Sequence, residues 1–490
     1  MALRARLVAP PVAPRRDWPW HTLSHGSVRA SQLLVGDRRM EAESYLSSGF
    51  GVRAEIESRT GGWKRLSDLA KVWMPGRLKG IQVGPDIGTP FLAATQVYDV
   101  RPAPRKWLAI ARTQDAERRF VRQGMILVTC SGAVGRPTLA YGPHMDTLVS
   151  HDLLRVEAID KRDHGWLYAY LHSPAAQAMM TGAQYGHIIK HLETEHLDAL
   201  PVPLVDSQTS AKFLSWVEEI LRLRNRAHEL RNEADERFAR AIGPISYRSG
   251  ENGFEVRAGE LFAGRRRLEA SYHVPRATAI RKSFQRFEAL RDVAERVWWM
   301  PRFKRFYREE GLPYLSADEL FTLNPPENKR ILVESDDNHR EYFVKSGWIV
   351  MACSGQVYGL NGACALMTDH HENVFFSHDL IRIVANPKRI RAGYLLVALS
   401  HRTLGRPLLI RAAYGTSIPH LDPGDVADFP VVRLAPAEEA AIADLAEAGT
   451  QAMADADALE RRIAHEATMA IAQPVVYGTT PPLRRAAEGG

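Results

Sequence analysis

Residues 123–140 read QGMILVTCSGAVGRPTLA, and residues 346–366 read SGWIVMACSGQVYGLNGACAL. Each stretch holds a hydrophobic run, a Cys-Ser-Gly turn, a short link with a further glycine, and another apolar run. Cys130 and Cys353 stand 223 residues apart in a chain of 490. A period that long predicts two copies of one domain rather than a solenoid of short repeats.

Working outward, further pairs fall in the same order. Upstream, LLVGDRRMEAESY (33–45) is answered by LFAGRRRLEASY (261–272), LSDLA with VWMP (66–75) by LRDVA with WWMP (290–301), and TPFL (89–92) by LPYL (312–315). Downstream, SHDLLRV (150–156) is answered by SHDLIRI (377–383), and a helical segment containing YAYL (168–171) by one containing YLLVAL (394–399). The copies end on AQYG, HL and LPV (183–202) and on AAYG, HL and FPV (412–431). Short β-type runs with a helix in the last third of each copy predict an α+β fold.

A long helix is expected after each copy. Phe213, Trp216, Ile220, Leu223, Ala227, Leu230 and Ala234 step by three and four, with Glu218, Glu219, Arg222, Arg224, Arg226, Glu229, Arg231 and Glu233 on the other faces. Ile442, Leu445, Gly449, Ala452, Ala456, Leu459 and Ile463 repeat the spacing with smaller side chains. A bulky seam beside a thin one suits an antiparallel pair of helices with close axes. Two amphipathic helices, each packed on its own domain, are the alternative. Gly243-Pro244 stops the first helix. A helix of about 30 residues is about 45 Å long. Such a pair would hold two domains at its ends, slightly more than the pitch of a DNA duplex apart, about 34–36 Å.

Composition allows this and decides little. The chain is 45% hydrophobic and 25% charged, with a net charge of +7 and a pI near 9.2. That mild excess permits nucleic-acid binding without requiring it. Three cysteines, none in C-x-x-C spacing, indicate neither a zinc site nor a disulfide framework, and Cys130 and Cys353 read as buried. No apolar run reaches membrane-spanning length and no signal-peptide h-region is present, so a cytoplasmic protein with no membrane partner is expected.

In architecture and motif order the chain resembles the specificity subunit of a type I restriction-modification system. The resemblance covers about Leu33 to Ala470. It rests on the Arg39–Tyr45 opening, the Pro-Phe-Leu and Pro-Tyr-Leu segments, the G-x-I-L-V-x-x-S-G-x-V-G unit, and the Tyr-Gly…His-Leu…Pro-Val-Pro ending. It implies two tandem target-recognition domains, 31–207 and 244–434, with spacer helices at 208–243 and 435–472 paired as an antiparallel coiled coil. Residues 1–30 would be an N-terminal arm and 473–490 a C-terminal tail. It also implies the function: each domain reads half of a split double-stranded DNA site, and two methyltransferase subunits dock on the chain. S-adenosylmethionine would sit in those partners, with no cofactor bound by this chain and no catalysis in it. A restriction or translocase subunit could join, within a DNA-methylating, anti-phage defence role. The second unit departs from the pattern by its longer Val357-Tyr358-Gly359 link, and both termini are long.

The DNA-binding candidates follow from chemistry. Arg77 and Lys79, and Arg302, Lys304, Arg305 and Arg308, follow Trp-Met-Pro in the two copies, the second interleaved with Phe303, Phe306 and Tyr307. Arginine can contact guanine or phosphate with two hydrogen bonds, and lysine gives phosphate a point charge. Solvated surface charge is the plainer reading, but different loops at equivalent positions are what two readers of different half-sites require. Arg136, Tyr185, Lys190, His191, Tyr414 and His420 complete the set, with loop or core roles as the alternative for the last five. Ser131-Gly132 and Ser354-Gly355 read as tight turns before phosphate sites. The two Ser-His-Asp runs fail as triads, because neighbours on a strand point to opposite faces. Asn324-Pro325-Pro326-Glu327 lacks the final aromatic of an amino-methyltransferase tetrad, and no metal site or phosphate-binding loop is expected. A sequence-blind scaffold of a defence complex and a DNA-modifying enzyme with an unrecognised active site remain as rivals.

Overall fold

The computed structural model describes residues 48–59, 62–183, 191–247, 253–262, 266–325, 329–333 and 341–472. The arm at 1–30, the tail at 473–490, the opening motif at 33–45, Tyr185 and Lys190 lie outside the described residues.

The fold mixes helices and strands. The first half contains β1 (Trp63–Arg65), β2 (Ala70–Trp73), β3 (Gln82–Val83), β4 (Thr89–Leu92), β5 (Lys106–Leu108), β6 (Ile126–Thr129), β7 (Pro137–Leu139), β8 (Leu148–Val149), β9 (Leu153–Ala158) and β10 (Pro201–Pro203). The second contains β11 (Phe287–Ala289), β12 (Ala294–Trp299), β13 (Phe306–Leu315), β14 (Arg330–Leu332), β15 (Ile349–Ala352), β16 (Cys364–Leu366), β17 (Phe375–Phe376), β18 (Leu380–Ala385) and β19 (Pro430–Val432).

The same strand order recurs. One antiparallel sheet runs β2-β9-β6-β7 and its counterpart β12-β18-β15-β16. Ile126 faces Leu139 and Val156 in the first, and Ile349 faces Leu366 and Ile383 in the second. The runs ILVT and IVMA form the inner strands β6 and β15 and are buried at every residue. A strand covered on both faces has no wet side, so its sequence is continuously apolar rather than alternating. Gly135 (φ 84°) and Gly362 (φ 77°) turn the chain into β7 and β16 in a conformation that favours glycine. Cys130 and Cys353 are buried at the ends of the inner strands.

Two long helices, Ser207–Ile242 and Pro436–Ala472, pack against each other. Asp206 caps the first by accepting from Thr209 N at 2.8 Å, and Gly243 (φ 86°) ends it. Lys212 pairs with Glu466 at 2.9 Å and Arg237 with Glu438 at 2.6 Å, so the helices run antiparallel. A Cβ on Gly449 would stand 3.2 Å from the Ala227 carbonyl oxygen, which marks how closely the axes approach.

Each half packs on both helices. The first-half core takes in Phe213, Val217 and Ile220 from one helix and Ile463, Ala467 and Ile471 from the other. The second-half core takes in Ala234 and Phe238 with Ile442, Ala443 and Ala446. Helices His164–His172 and Ala392–Ser400 make these contacts through glycine: a Cβ on Gly165 would run into the Leu214 backbone, and one on Gly393 into Ala443. Each long helix thus contacts the other helix and also the strands and short helices of the halves.

This sharing shifts the seam from the expected positions. The buried line on the first helix passes through Phe213, Val217, Ile220, Arg224, Ala227, Leu230, Ala234 and Phe238, leaving Trp216 and Leu223 half-buried. On the second, Ile442, Gly449, Ala456 and Ile463 are buried, whereas Leu445 and Leu459 are half-buried. Arg224, expected on a charged flank, is fully buried against Glu460, which is also fully buried.

The halves also touch directly at equivalent residues. Val100 N donates to Phe321 O at 2.9 Å and Leu323 N to Tyr98 O at 2.7 Å, around the facing pair Asp99 and Thr322. Asp99 and Thr322 stand 223 residues apart, as Cys130 and Cys353 do. The two hydrogen bonds are thus one bond and its rotated copy, and a local two-fold axis passes between them.

Candidate nucleic-acid interface

The basic segments after Trp-Met-Pro differ in build. In the second half, β13 is ten residues long and Phe306 to Glu310 are exposed in succession. Tyr307 and Leu312 both pair with Ile331, so the residues between them bulge from the ladder. The bulge projects Arg308, together with Glu309 and Glu310, which offset its charge. Phe303 anchors the loop before the strand, with its ring 5.0 Å from Tyr342 and 5.3 Å from Phe375 in edge-to-face contact. That anchor leaves Arg302 and Lys304 exposed on either side. Phe306 (49% exposed) and Tyr307 (52%) present ring surface beside them. Exposed rings next to cations are suited to bases and phosphates.

In the first half the segment is a loop. Arg119, fully buried, donates from Nη2 to Gly76 O at 2.7 Å and from Nε to Gln114 O at 3.0 Å, and Lys79 O accepts from Gln114 N. This brace leaves Arg77 and Lys79 exposed. Beside it, the residue before β3 and the link from β3 to β4 expose Ile81 and Ile87.

A chain of polar contacts gathers three of the second-half candidates. Arg305 donates to Asp379 at 3.1 Å. Ser354 Oγ donates to Asp379 at 3.4 Å and shares a 2.8 Å hydrogen bond with His420 Nδ1. Tyr414 and His420 exchange backbone hydrogen bonds, and Tyr414 remains 41% exposed. The basic loop, the Cys-Ser-Gly turn and the Tyr-His hairpin therefore form one connected surface. In the first half Ser131 and His191 form a backbone bridge, as Ser354 and His420 also do. Gly132 and Gly355 have positive φ, as the tight-turn reading expects.

Two candidates are placed differently. Arg136 reaches across to the other half, where Nη2 donates to Asn324 O at 3.1 Å and to Leu323 O, and its guanidinium lies 4.5 Å from the Tyr98 ring centre. It joins the halves instead of offering charge to a ligand. Arg305 is half-neutralised by Asp379 and holds its loop in place. Asn324 is part of the same junction, its N–H donating to Asp457 at 2.9 Å.

The Ser-His-Asp runs form turns ahead of β9 and β18, not strands, so the opposite-faces argument does not apply to them. Ser150 Oγ bonds Asp152 directly at 2.9 Å, and Ser377 Oγ bonds Asp379 at 3.2 Å, with no histidine between. Each turn is tied down by an arginine with no exposed surface. Arg155 donates to Ser150 O at 2.9 Å, and Arg382 to Ser377 O at 3.4 Å. Burial pushes Arg155 down to about 9 and Arg382 down to about 10. Sequence reading missed both. Their recurrence in SHDLLRV and SHDLIRI was the available signal.

Among the described residues no cluster of His, Cys, Asp and Glu could hold a metal ion, and no helix is long and apolar enough to cross a membrane. No protein-family model matches the chain, and none of the curated proteins does. Solved structures do match. The S subunit of a type I restriction-modification system from M. genitalium is 13% identical, over 84% of this chain and 94% of that one, with a TM-score of 0.32. The HsdS subunit from Thermoanaerobacter tengcongensis is 12% identical, over 84% and 95%, with a TM-score of 0.25. The type IIG restriction endonuclease BpuSI is 13% identical, over 36% and 28%, with a TM-score of 0.27. Over most of its length, at low identity, the chain is similar to specificity subunits of type I restriction-modification systems.

Proposed function

We propose that this chain is a non-catalytic, sequence-specific DNA-binding subunit. Its two halves act as recognition domains for the two parts of a split site, and the long helices, paired as a coiled coil, set the gap between them. Methyltransferase subunits carrying S-adenosylmethionine dock on it and are directed to the site, and a restriction or translocase subunit is a further partner. One observation carries the reading. Two halves with the same strand order are fixed by a two-fold latch and a rigid helix pair, yet they present differently built basic loops at equivalent positions.

The geometry suits a duplex. Helices of 36 and 37 residues are about 54 Å long. Two surfaces spaced along such rods match half-sites one turn or more apart. Phosphate contacts would supply most of the affinity and its salt dependence, and base-edge contacts the specificity, at about 1–3 kcal/mol for each bidentate pair.

The test is a methylation assay on a random-sequence DNA library, with the neighbouring methyltransferase, in the presence and absence of this chain. Methylation of one asymmetric split motif only when the chain is present is the expected result. Methylation with no preferred motif would overturn the reading. Glu309 and Glu310, which offset Arg308, favour a second reading: a sequence-blind scaffold of a defence complex. That reading predicts assembly with the partners without any preferred motif.

A further inference from the structure

The two-fold relation also fails beside the latch. On one side of the latch the space between the halves and the helices is filled by large side chains. Arg136 lies over Tyr98, and Tyr168 and Arg224 both hydrogen-bond Glu460, with His172 Nε2 3.2 Å from the same carboxylate. On the other side lies a cavity of about 690 Å³.

The strand and helix registers show what became of each filler. Ile126 faces Leu139 and Ile349 faces Leu366, so the equivalent of Arg136 is Ala363. Gly165 and Gly393 make matching contacts with the long helices, so the equivalents of Tyr168 and His172 are Leu396 and Ser400. Ala363, Leu396 and Ser400 all line the cavity. Three large groups are replaced by smaller ones at a single site, and the opening is the result.

The rim is rich in arginine. Arg101, Arg105, Arg231, Arg402 and Arg406 all line the cavity. Arg101 and Arg231 share one carboxylate, Asp235. Arg402 donates to the carbonyls of Arg101 and Pro102 at 3.0 and 2.7 Å, and Arg406 to those of Val357 and Asn361 at 3.3 and 3.2 Å. Carbonyls satisfy the donors without cancelling the charge. Nε of Arg406 is buried with no hydrogen-bond partner. Arg105 is exposed and makes no ion pair among the described residues. Asp99, which also lines the cavity, is pushed up to about 7 by burial, against the pull of Arg105 and Arg402, so it is about half-ionised at neutral pH and offsets only part of this charge. Asp318 also lines the cavity but is exposed, and Asp457 lies 3.8 Å from Arg224 and accepts from Asn324 N. Leu320, Phe321, Leu360, Leu396 and Met453 supply apolar lining to the same cavity.

We infer that this cavity is a binding site for a free nucleotide, with its phosphates on the arginine rim and its base against the Phe321, Leu396 and Met453 lining. The volume lies in the range of small-molecule pockets, about 300–1,000 Å³. Guanidinium forks match phosphate oxygens in geometry and charge. The site is separate from the exposed DNA-binding surface, so its test needs neither DNA nor partners.

The experiment is isothermal titration calorimetry and thermal melting of the full chain with ATP, AMP, adenosine and inorganic pyrophosphate. ATP and AMP should bind in the micromolar to sub-millimolar range and raise Tm, with adenosine and pyrophosphate each at least tenfold weaker. Arg105→Ala, an exposed change that leaves packing alone, should weaken nucleotide binding several-fold. Ala363→Arg, which restores the filler of the other side, should abolish binding while the protein keeps its Tm. No heat from any nucleotide at millimolar concentration would overturn the inference. So would pyrophosphate binding as tightly as AMP, a single-stranded oligonucleotide binding where mononucleotides do not, or nucleotide affinity unchanged in both variants.

Discussion

At the scale of single residues, much of what fixes this fold is polar and buried, where hydrophobic periodicity gives no signal. His144 accepts from Tyr141 N at Nδ1 (3.2 Å) and faces Val97 O from Nε2 at 3.0 Å. One ring nitrogen must lack a proton and the other must carry one, so the ring is neutral. His371 accepts from Thr368 N in the same way. Burial pushes His144 down to about 3 and His371 down to about 4, from an ordinary value of 6.5. Between these values and 6.5 the unfolded chain binds a proton that the folded chain refuses. Stability therefore falls as pH drops below about 6.5, by up to about 1.4 kcal/mol per pH unit for each ring. Urea midpoints at pH 7 and pH 5 measure this. His144→Gln should lower stability at pH 7 and shrink the loss at pH 5; an unchanged pH slope would show that His144 is not its source. Neither histidine, nor Arg119, stands out in a single sequence, because what marks each is the carbonyl or N–H that the fold brings to it; only Arg155 and Arg382 left a trace, by recurring in the two Ser-His-Asp runs.

At the scale of elements, the long helices were legible and their faces only partly so. Phe213, Ile220, Ala227, Leu230, Ile442, Gly449 and Ile463 lie where spacing put them. Trp216, Leu223, Leu445 and Leu459 turn part-way out, because each helix is buried by a domain as well as by its partner and the buried stripe drifts toward the shared side. The same sharing buries Arg224 on Glu460. Removing Glu460 leaves the buried Arg224 with only the more distant Asp457 at 3.8 Å, and removing Arg224 leaves Glu460 buried on Tyr168 and His172 without its main counter-charge. Glu460→Gln or Arg224→Met should cost about 3–5 kcal/mol, whereas the double change Arg224→Met/Glu460→Leu should fall closer to wild type than either single. A double-mutant cycle in urea measures the coupling, and additive singles would show that the pair is not coupled. Gly449 makes a steric prediction at the same crossing. A Cβ there would already stand 3.2 Å from Ala227 O. Gly449→Val should force the axes apart and cost about 1–3 kcal/mol in thermal or urea melts. No change in stability would mean that the helices are not in close contact at this point.

At the scale of the whole molecule, the recurring strand order has a counterpart in the sequence blocks, which keep their order in both halves. The latch at Asp99 and Thr322 has none, because two backbone hydrogen bonds leave no pattern in side chains. The candidate interface divides in the same way. Sequence located the basic loops, but could not show that Arg136 joins the halves or that Arg305 is paired with Asp379. That division makes the DNA-binding proposal testable by charge. A cation that neutralises a phosphate adds about 0.9 to the slope of log K against log salt. Arg302, Lys304 and Arg308 are exposed, so replacing all three with alanine should reduce the slope by up to about 2.7 and weaken binding to every sequence alike. Arg305→Ala should act differently. Its charge is already held by Asp379 at 3.1 Å, so the slope should change little. Loss of the tether would instead loosen the loop that Phe303 anchors and reduce the preference for one half-site over mutated ones. Filter binding or fluorescence anisotropy across a salt series measures both effects. A full unit of slope lost in Arg305→Ala would place that guanidinium on a phosphate, with the Asp379 pair broken in the complex. No slope change in the triple variant would remove this loop from the DNA interface and leave the Tyr414–His420 hairpin as the surface of this half to examine next.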